Sequence, residues 1–244
     1  MNTKKMLLVL VASGLAFSGT AVAQEDNSHG LMNVRTTTVK PGKAPEYIEL
    51  MGQLAAARKA AGHSGVSIYQ VVRGPAGTFY SVSFGESYAD IGEPFDSGMS
   101  DGDWQRWVGR VTDIIDHAVL TILQTHGELA ITPESDSPPA MLQLRFSTMR
   151  AGTGADHHEW LAESLVPAFR EGNAKGYNVS NVLMGDEVGT WVSSLRIDSW
   201  ADLDGPGPLA HMSDRARDNL LEEYGKRVDS ARVELVRFLP EVSY

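Results

Sequence analysis

The sequence predicts an α+β fold made of two tandem β-α-β-β-α-β repeats, and three observations support this prediction. Residues 189–203 (GTWVSSLRIDSWADL) match residues 77–91 (GTFYSVSFGESYADI) with six identities in 15 positions. The segments upstream also match, since residues 34–42 (VRTTTVKPG) align with residues 144–152 (LRFSTMRAG). The same succession of strand and helix patterns then occurs twice, which is typical of an internal duplication.

The first repeat is assigned from its hydrophobic periodicity. Alternating apolar residues and β-branched runs predict strands, and apolar residues at helical spacing predict helices. The predicted strands are residues 31–40, 66–73, 78–84 and 129–132, and the predicted helices are residues 45–62 and 103–126.

The second repeat follows the same order. The predicted strands are residues 141–150, 177–184, 190–197 and 233–239, and the predicted helices are residues 155–172 and 215–230. Pro167 lies inside the first of these helices, where it is expected to cause a kink because it lacks a backbone N–H.

Two short motifs mark the end of the third strand in each repeat. Ser87 with Asp90, and Ser199 with Asp202, match the S-x-x-D capping box of a helix N-terminus. We therefore expect both aspartates to bind backbone N–H groups rather than a ligand, and the aromatic residues Tyr88 and Trp200 between them to pack inward.

The order β-α-β-β-α-β is that of a ferredoxin-like fold. Residues 31–134 and 141–244 form the two predicted repeats, joined by a linker at residues 135–140 that contains two prolines. Both helices of such a repeat cover one face of its sheet. Two sheets can then cover each other's remaining face, so we expect an intramolecular barrel that resembles a dimer within one chain.

The N-terminus has the pattern of a secretory signal peptide. Lys4 and Lys5 precede an apolar run, and an A-x-A motif at residues 21–23 follows it. The expectation is cleavage after residue 23, a disordered segment at residues 24–30, and a mature protein in the periplasm or secreted, without membrane insertion.

Composition limits the classes of partner. The formal net charge of −10 argues against nucleic acid, whose binding depends on basic patches. The chain has no cysteine, so an exported form depends on a packed core rather than disulfides. Either a monomer or a homodimer is compatible with the sequence, and a small molecule is the predicted partner.

Several motifs suggest a family. VKPG at residues 39–42 precedes an aromatic-bearing helix, the capped elements end in ESYADI and DSWADL, and LPEVS occupies residues 239–243. This combination resembles the dimeric α/β-barrel superfamily, in particular tandem NIPSNAP-like or antibiotic-biosynthesis-monooxygenase-like domains of an exported bacterial branch. The resemblance implies a fold shared by cofactor-free oxygenases, haem-degrading enzymes, haem peroxidase relatives and lactone isomerases, but it transfers no reaction.

Strand alternation suggests a ligand pocket. Arg35 and Arg145 occupy equivalent positions on the strand face that we assign to the barrel interior, where a buried guanidinium requires an anionic partner. The predicted ligand-binding residues are Arg35, Arg145, Gln70, Asn181, Tyr69, Tyr80, Trp191 and Arg196. The alternative interpretation is that the arginines lie at sheet edges or are paired structurally.

Other residues give no catalytic assignment. The adjacent histidines His157 and His158 point about 100° apart on a helix, so they do not form an HExxH metal site, and no metal site is predicted. His126 lies near a turn and is uninformative. No cofactor is predicted, although a histidine ligand to haem stays open because that role has no obligatory sequence motif.

Three functions therefore stay open, and the sequence does not settle whether the protein is an enzyme. The first is binding of a small anionic or aromatic molecule in the barrel interior. The second is a cofactor-independent monooxygenase or a haem-handling enzyme. The third is a structural or protein-interaction role, in which side chains fill the barrel.

Overall fold

We describe the fold from a computed structural model. It describes residues 30–92, 95–135, 137–185, 188–204 and 207–244. The predicted signal peptide at residues 1–23 lies outside the described residues, as does the disordered segment predicted at residues 24–30 except for its last residue.

The described residues of the first half form four strands and three helices. They are β1 (Leu31–Val39), α1 (Ala44–Ala60), β2 (Ser67–Arg73), β3 (Thr78–Gly85), α2 (Tyr88–Gly92), α3 (Asp101–Ile114) and β4 (Ile115–Thr125). A single 3-10 turn, Gly127–Leu129, follows β4.

The second half repeats this order. It contains β5 (Met141–Met149), α4 (Gly154–Trp160), a π-helical turn (Leu161–Leu165), α5 (Val166–Glu171), β6 (Tyr177–Met184), β7 (Thr190–Ile197), α6 (Asp214–Arg227) and β8 (Val228–Phe238). Two 3-10 turns, Trp200–Leu203 and Gly207–Leu209, lie between β7 and α6.

The eight strands form a closed barrel in the order β1-β3-β2-β8-β5-β7-β6-β4. The strand pairs β1–β3, β2–β3, β5–β7, β5–β8 and β6–β7 are all antiparallel. The predicted mixed fold with a barrel is thus confirmed. The interpretation of its halves as two ferredoxin-like copies of one duplicated sequence stays a prediction.

The chain also divides into two compact units. Among the described residues, unit 1 comprises Gly30–Leu123 together with the C-terminal segment Phe238–Tyr244, and unit 2 comprises Gln124–Arg237. Each unit has its own apolar core.

Two predicted helix ends were wrong. The helix predicted at residues 103–126 ends at Ile114, and the following apolar run is strand β4. Helix α6 likewise ends at Arg227, and β8 begins at Val228 rather than at residue 233. Both runs contain β-branched residues at spacings compatible with either structure, and pairing in the sheet decides for the strand.

The strand predicted at residues 129–132 was also wrong. Leu129 ends the 3-10 turn, and Ile131 makes only an isolated bridge with Tyr177. Since β4 already supplies the fourth strand of this half, the short apolar run after it serves as a connection.

Helices α1 and α3 cover one face of the unit 1 strands. The ring of Tyr47 on α1 lies 4.6 Å from the ring of Phe79 on β3. The indole Nε1 of Trp107 on α3 donates a hydrogen bond of 2.7 Å to the carbonyl of Leu50. Burial of each such large side chain contributes about 1.5–3 kcal/mol, so this interface fixes the helices on the sheet.

The C-terminal segment completes the core of unit 1. Leu239 N–H donates to the carbonyl of Ile68 at 2.9 Å, and Tyr244 N–H donates to that of Val66 at 2.9 Å. The side chains of Leu239, Val242 and Tyr244 are buried in the same apolar cluster as α1. The last residues of the chain are therefore part of unit 1.

The helix that covers the unit 2 strands is irregular. Its π-helical turn, Leu161–Leu165, ends two residues before Pro167. A proline cannot donate the backbone hydrogen bond that would continue a regular α-helix, which makes a local departure from α-helical geometry less costly here. The kink expected at Pro167 stays a prediction.

Both predicted capping boxes are present. Ser87 N–H donates to Asp90 Oδ2 at 2.8 Å, and Asp90 N–H donates to Ser87 Oγ at 3.2 Å. Ser199 and Asp202 form the same reciprocal pair. Both aromatic residues between the caps are exposed instead of packing inward, Tyr88 at 50% and Trp200 at 53%.

None of the helices in the described part of the chain combines the length and apolar character that a membrane crossing requires.

We predict that Gly98→Ala destabilises the protein more than Gly62→Ala. Both glycines have left-handed backbone angles, with φ of 66° and 82°. A Cβ at Gly98 would lie 2.5 Å from the carbonyl oxygen of Ala57, whereas a Cβ at Gly62 would meet nothing within 4 Å. Both variants incur the left-handed strain, and only Gly98→Ala adds overpacking of about 1–3 kcal/mol.

The measurement is the free energy of unfolding in urea for both variants. Equal losses in the two variants would show that α1 does not approach residue 98 closely.

Candidate functional site

The two predicted pocket arginines lie beneath the helices. Arg35 lines a small cavity with Tyr47 and Met51 of α1 and Trp107 of α3. Arg145 lines a cavity with His157 of α4 and Tyr224 of α6. Assignment of both arginines to the barrel interior was therefore wrong. Alternation sorts a strand's residues onto two faces, but it does not state which face the helices cover.

The unit 1 cavity is almost filled. Its volume is about 10 Å³, and Arg35 at its edge is 7% exposed. Burial lowers the pKa of the Arg35 guanidinium. The Trp107 indole already donates to the carbonyl of Leu50, so it has no hydrogen left for a ligand.

The predicted aromatic walls of unit 1 do not surround Arg35. Tyr69 and Tyr80 are paired in register across β2 and β3, while Ser81 is opposite Arg35. Because neighbouring residues of a strand point to opposite faces, both tyrosines lie on the face away from Arg35. Gln70 is opposite Phe79 and shares its helix-covered face.

Unit 2 does bring several predicted residues together. Trp191 is opposite both Ser147 and Asn181, and Arg145 is two residues before Ser147 on β5. Arg145, Asn181 and Trp191 therefore share the helix-covered face of unit 2.

Arg196 is separate from this group. Its Nε donates to Asp198 Oδ1 at 2.9 Å, and its Nη1 donates to the carbonyl of Ser137 at 3.0 Å. It is opposite Leu142, on the other face of the strand from Trp191. These contacts are those of a side chain that ties the segment before β5 to β7.

The cavity of unit 2 has a volume of about 20 Å³, which accommodates about one water molecule. Arg145 is exposed at its edge, and among the described residues no carboxylate pairs with its guanidinium. The lining residues are Arg145, Ser147, His157, Trp160, Leu161, Leu165, Tyr177, Val179, Trp191, Ser193 and Tyr224.

Two buried polar atoms at this cavity have no hydrogen-bond partner in the part of the chain that the structure describes. They are Nδ1 of His157 and Nε1 of Trp160, whose residues are 3% and 6% exposed. A buried polar group without a partner costs about 1–3 kcal/mol. Burial, together with the charges of Arg227 and His158, lowers the pKa of His157 to about 4, so its ring is neutral at pH 7.

Four other polar groups of the cavity form two pairs, Ser147 with Tyr224 and Tyr177 with Ser193. Ser147 Oγ and Tyr224 Oη lie 2.7 Å apart, and the Arg145 guanidinium lies 5.7 Å from the centre of the Tyr224 ring. Burial raises the pKa of Tyr177 to about 12, and a hydrogen bond with Ser193 opposes this rise only in part. Tyr177 is therefore a neutral hydroxyl at physiological pH.

A second group of polar side chains lies beside Trp191. His126 stacks on the Trp191 ring, with ring centroids 4.9 Å apart and planes inclined by 12°. Its Nδ1 is 3.2 Å from Glu128 Oε1, and His158 Nε2 is 2.9 Å from the same oxygen. Nδ1 of His126, Nε2 of His158 and Oε1 of Glu128 are atoms that bind metal ions in proteins.

Sequence analysis missed this group. His126 and Glu128 lie on the turn after β4, and His158 lies 30 residues further along on α4. No motif joins residues at this separation, so only the fold brings them together. The expected absence of a metal site rested on the adjacency of His157 and His158, which is irrelevant because His157 points to the cavity.

Haem does not fit the cavity beneath the unit 2 helices. Cavities that bind ligands of cofactor size measure about 300–1,000 Å³, and this one measures about 20 Å³. Any ligand of that size therefore requires the cavity to widen.

Comparison with known proteins supports the fold. No protein family and no curated protein matches the chain by sequence. An anthrone oxidase-like protein aligns over 89% of this chain and 94% of its own, with 14% identity and a TM-score of 0.62. A candidate monooxygenase from Fusobacterium nucleatum aligns over 88% and 94%, with 12% identity and a TM-score of 0.58. A candidate chlorite dismutase aligns over 88% and 96%, with 13% identity and a TM-score of 0.50.

These structures are dimeric α/β-barrel proteins of the antibiotic-biosynthesis-monooxygenase-like and chlorite-dismutase-like types. At 12–14% identity the likeness concerns the fold. The chain therefore has the dimeric α/β-barrel fold that its sequence motifs suggested.

We predict that stability falls as the pH is lowered through the range from about 6.5 to 4, partly because of His157. Its pKa is about 4 in the folded protein and about 6.5 in an unfolded chain. Between these values the unfolded state binds a proton that the folded state does not, which favours unfolding. The full effect is at most about 3 kcal/mol.

His157→Gln should flatten this part of the pH profile, measured as the free energy of unfolding in urea from pH 7 to pH 4. His117→Gln, at an exposed position on β4, is the control and should keep the wild-type slope. A wild-type slope in His157→Gln would contradict the assignment.

Proposed function

We propose that unit 2 binds a small oxygen-bearing aromatic molecule beneath helices α4 and α6. The observation that carries this proposal is the pair of buried polar atoms at one cavity, His157 Nδ1 and Trp160 Nε1, that have no partner among the described residues. A ligand oxygen that accepts a hydrogen bond from the indole would remove the cost of burying it.

A comparison of the two units supports this location. Matching the repeats aligns Tyr47 with His157, Phe79 with Trp191, and Val111 with Tyr224. Unit 1 thus has one polar group at these three positions, whereas unit 2 has a polar atom at each of them. Because the fold needs only apolar contacts here, the polar groups of unit 2 favour a binding role.

Arg145 supports a negatively charged or carbonyl-bearing ligand. It is exposed at the cavity, in contrast to the buried Arg35 at the equivalent position of unit 1. An accessible guanidinium offers several donors to a carboxylate, phenolate or keto oxygen. The indole rings of Trp160 and Trp191 provide aromatic surface for stacking.

Ligand entry requires the cavity to widen. Leu161 and Leu165 belong to the π-helical turn and close the cavity on the helix side. A π-helical turn has a less regular hydrogen-bond pattern than an α-helix, and such turns are frequent at functional sites. We assign the widening to a shift of this turn.

A second candidate function is oxygenation of the bound molecule. It is supported by similarity in fold to an anthrone oxidase-like protein and to a candidate monooxygenase. We also propose that the protein is exported to the periplasm or medium, which is supported by the signal-peptide pattern of residues 1–23. Membership of a NIPSNAP-like branch is proposed from the motifs of the two repeats.

Binding is tested with anthrone, a tricyclic aromatic ketone, by quenching of tryptophan fluorescence. Trp160→Phe keeps an aromatic side chain, smaller than the indole, and removes the Nε1 donor, so we expect affinity to fall at least about three- to tenfold, the worth of one hydrogen bond. Arg145→Met should weaken binding by a similar factor or more. Trp104→Phe, in unit 1, is the matched control and should bind like the wild type.

Two results would overturn the proposed pocket. One is equal affinity in Trp160→Phe, Arg145→Met and the wild type, which would place the ligand elsewhere. The other is the absence of saturable binding by anthrone and by a panel of hydroxylated aromatic acids.

Oxygenation is tested by oxygen uptake with anthrone and no added cofactor. We expect uptake above the rate of the protein-free solution, and a loss of most of it in Trp160→Phe and Arg145→Met. If anthrone binds saturably but oxygen uptake equals the protein-free rate, the protein binds the molecule without oxygenating it. This result would contradict the second candidate function.

A further inference from the structure

We infer that His126, Glu128 and His158 bind one divalent transition-metal ion, of which Zn²⁺ is the best example, and that Asn181 orients His126 for this role. The site is separate from the proposed ligand cavity and does not depend on it. It lies entirely within unit 2.

The distances suit a shared ion. Two imidazole nitrogens lie 3.2 Å and 2.9 Å from the same carboxylate oxygen, and all three atoms lie within 4.8 Å of one another. Zn²⁺ binds nitrogen and carboxylate oxygen at about 2.0–2.2 Å, so neighbouring ligand atoms of a tetrahedral site are about 3.4 Å apart. Small side-chain rotations would bring these atoms to that spacing.

The backbone holds two of the three ligands in place. His126 N–H donates to the carbonyl of Val179 at 3.0 Å, and Leu129 N–H donates to the carbonyl of His126 at 3.0 Å. The side chain of Leu129 is 1% exposed and anchors the turn in the unit 2 core. His126 and Glu128 are thus presented from a fixed turn.

The third ligand comes from α4. His158 follows His157, whose buried ring packs against Trp160 and Trp191. This packing fixes the rotation of the helix and directs the next side chain towards Glu128. His158 is 38% exposed and Glu128 39%, so an ion at this position is accessible from solvent.

Asn181 holds His126 in an orientation that suits a metal ligand. His126 Nε2 lies 2.7 Å from Asn181 Oδ1, so when Nδ1 binds an ion, the N–H at Nε2 can donate to this amide oxygen. Histidines that bind metals commonly donate their second N–H to such an acceptor.

Glu128 Oε1 is the contact that both imidazole nitrogens share. Ion pairs with a carboxylate that is 39% exposed contribute about 0–1 kcal/mol, so two imidazoles on this carboxylate bring the fold little stability. A bound ion makes use of all three groups at once.

The donor set selects the class of ion. Two imidazoles and one carboxylate suit Zn²⁺, Fe²⁺, Co²⁺ and Mn²⁺, whereas Ca²⁺ and Mg²⁺ prefer oxygen ligands alone. Three protein ligands leave a further position for water or another molecule. We therefore expect tight binding of Zn²⁺ and Co²⁺ and no comparable binding of Mg²⁺.

The test uses the purified full chain after treatment with a chelator. Zn²⁺ affinity is measured by competition with a chromophoric chelator, and Co²⁺ binding by its visible absorption. We expect one ion per chain and a loss of affinity of at least about 100-fold in Glu128→Gln and His158→Gln. Asn181→Ala should lose about 10- to 100-fold, as is typical when the partner of a metal-binding histidine is removed.

His63→Gln is the matched control, because His63 Nε2 also contacts a carboxylate, that of Asp96, at 3.0 Å but without a second imidazole. It should bind Zn²⁺ like the wild type. Near-ultraviolet circular dichroism checks that each variant is folded. If a histidine variant fails to fold, Glu128→Gln, at an exposed position, still tests the loss of metal affinity.

Two outcomes would overturn the inference. One is failure of the wild type to bind Zn²⁺ or Co²⁺ with 1:1 stoichiometry. The other is equal affinity in the wild type, Glu128→Gln and Asn181→Ala, which would show an adventitious ion only. Neither outcome affects the proposed aromatic ligand, whose binding is measured in the presence of the chelator.

Discussion

The candidate sites of unit 2 depend on the aromatic contacts of Trp191, which lies under the helices. Its indole stacks on His126 and contacts the ring of His157 edge-on, with centroids 4.9 Å and 5.2 Å apart. One side chain thus separates the group of His126, Glu128 and His158 from the cavity that His157 and Trp160 line. The arrangement of this group and the shape of the cavity both depend on a single large ring on the helix-covered face of β7. Aromatic contacts with this ring fix the orientation of the side chains around it.

The two halves of the chain share an order of strands and helices but differ in the side chains beneath their helices. In unit 1 the equivalent contact joins Tyr47 and Phe79, at 4.6 Å, and Trp107 satisfies its own donor within the core. In unit 2 an imidazole and an indole replace these rings. Buried polar atoms without a partner among the described residues occur in both units, for example Thr37 Oγ1 in unit 1 and His157 Nδ1 in unit 2. His157 and Trp160 differ from the others because they line a cavity.

Much of the fold could be predicted from the sequence, whereas little of the candidate site could. The order of strands and helices and both capping boxes follow from local periodicity and side-chain spacing. The ends of α3 and α6 could not be predicted in this way, because the apolar runs after Ile114 and Arg227 fit a helix and a strand equally well. The face on which Arg35 and Arg145 lie was assigned wrongly, since alternation defines two faces and leaves open which one the helices cover.

What the sequence by itself determined is the framework: a repeated pattern of strands and helices, and the turn motifs that connect them, all of which depend on residues close together in the chain. The tertiary structure decided which side chains meet. His126 and His158 are distant in sequence, and their approach to Glu128 and Trp191 depends on the pairing of β6 with β7 and on the packing of α4. Such contacts are set by the whole fold, because no local preference of the chain specifies a neighbour 30 residues away.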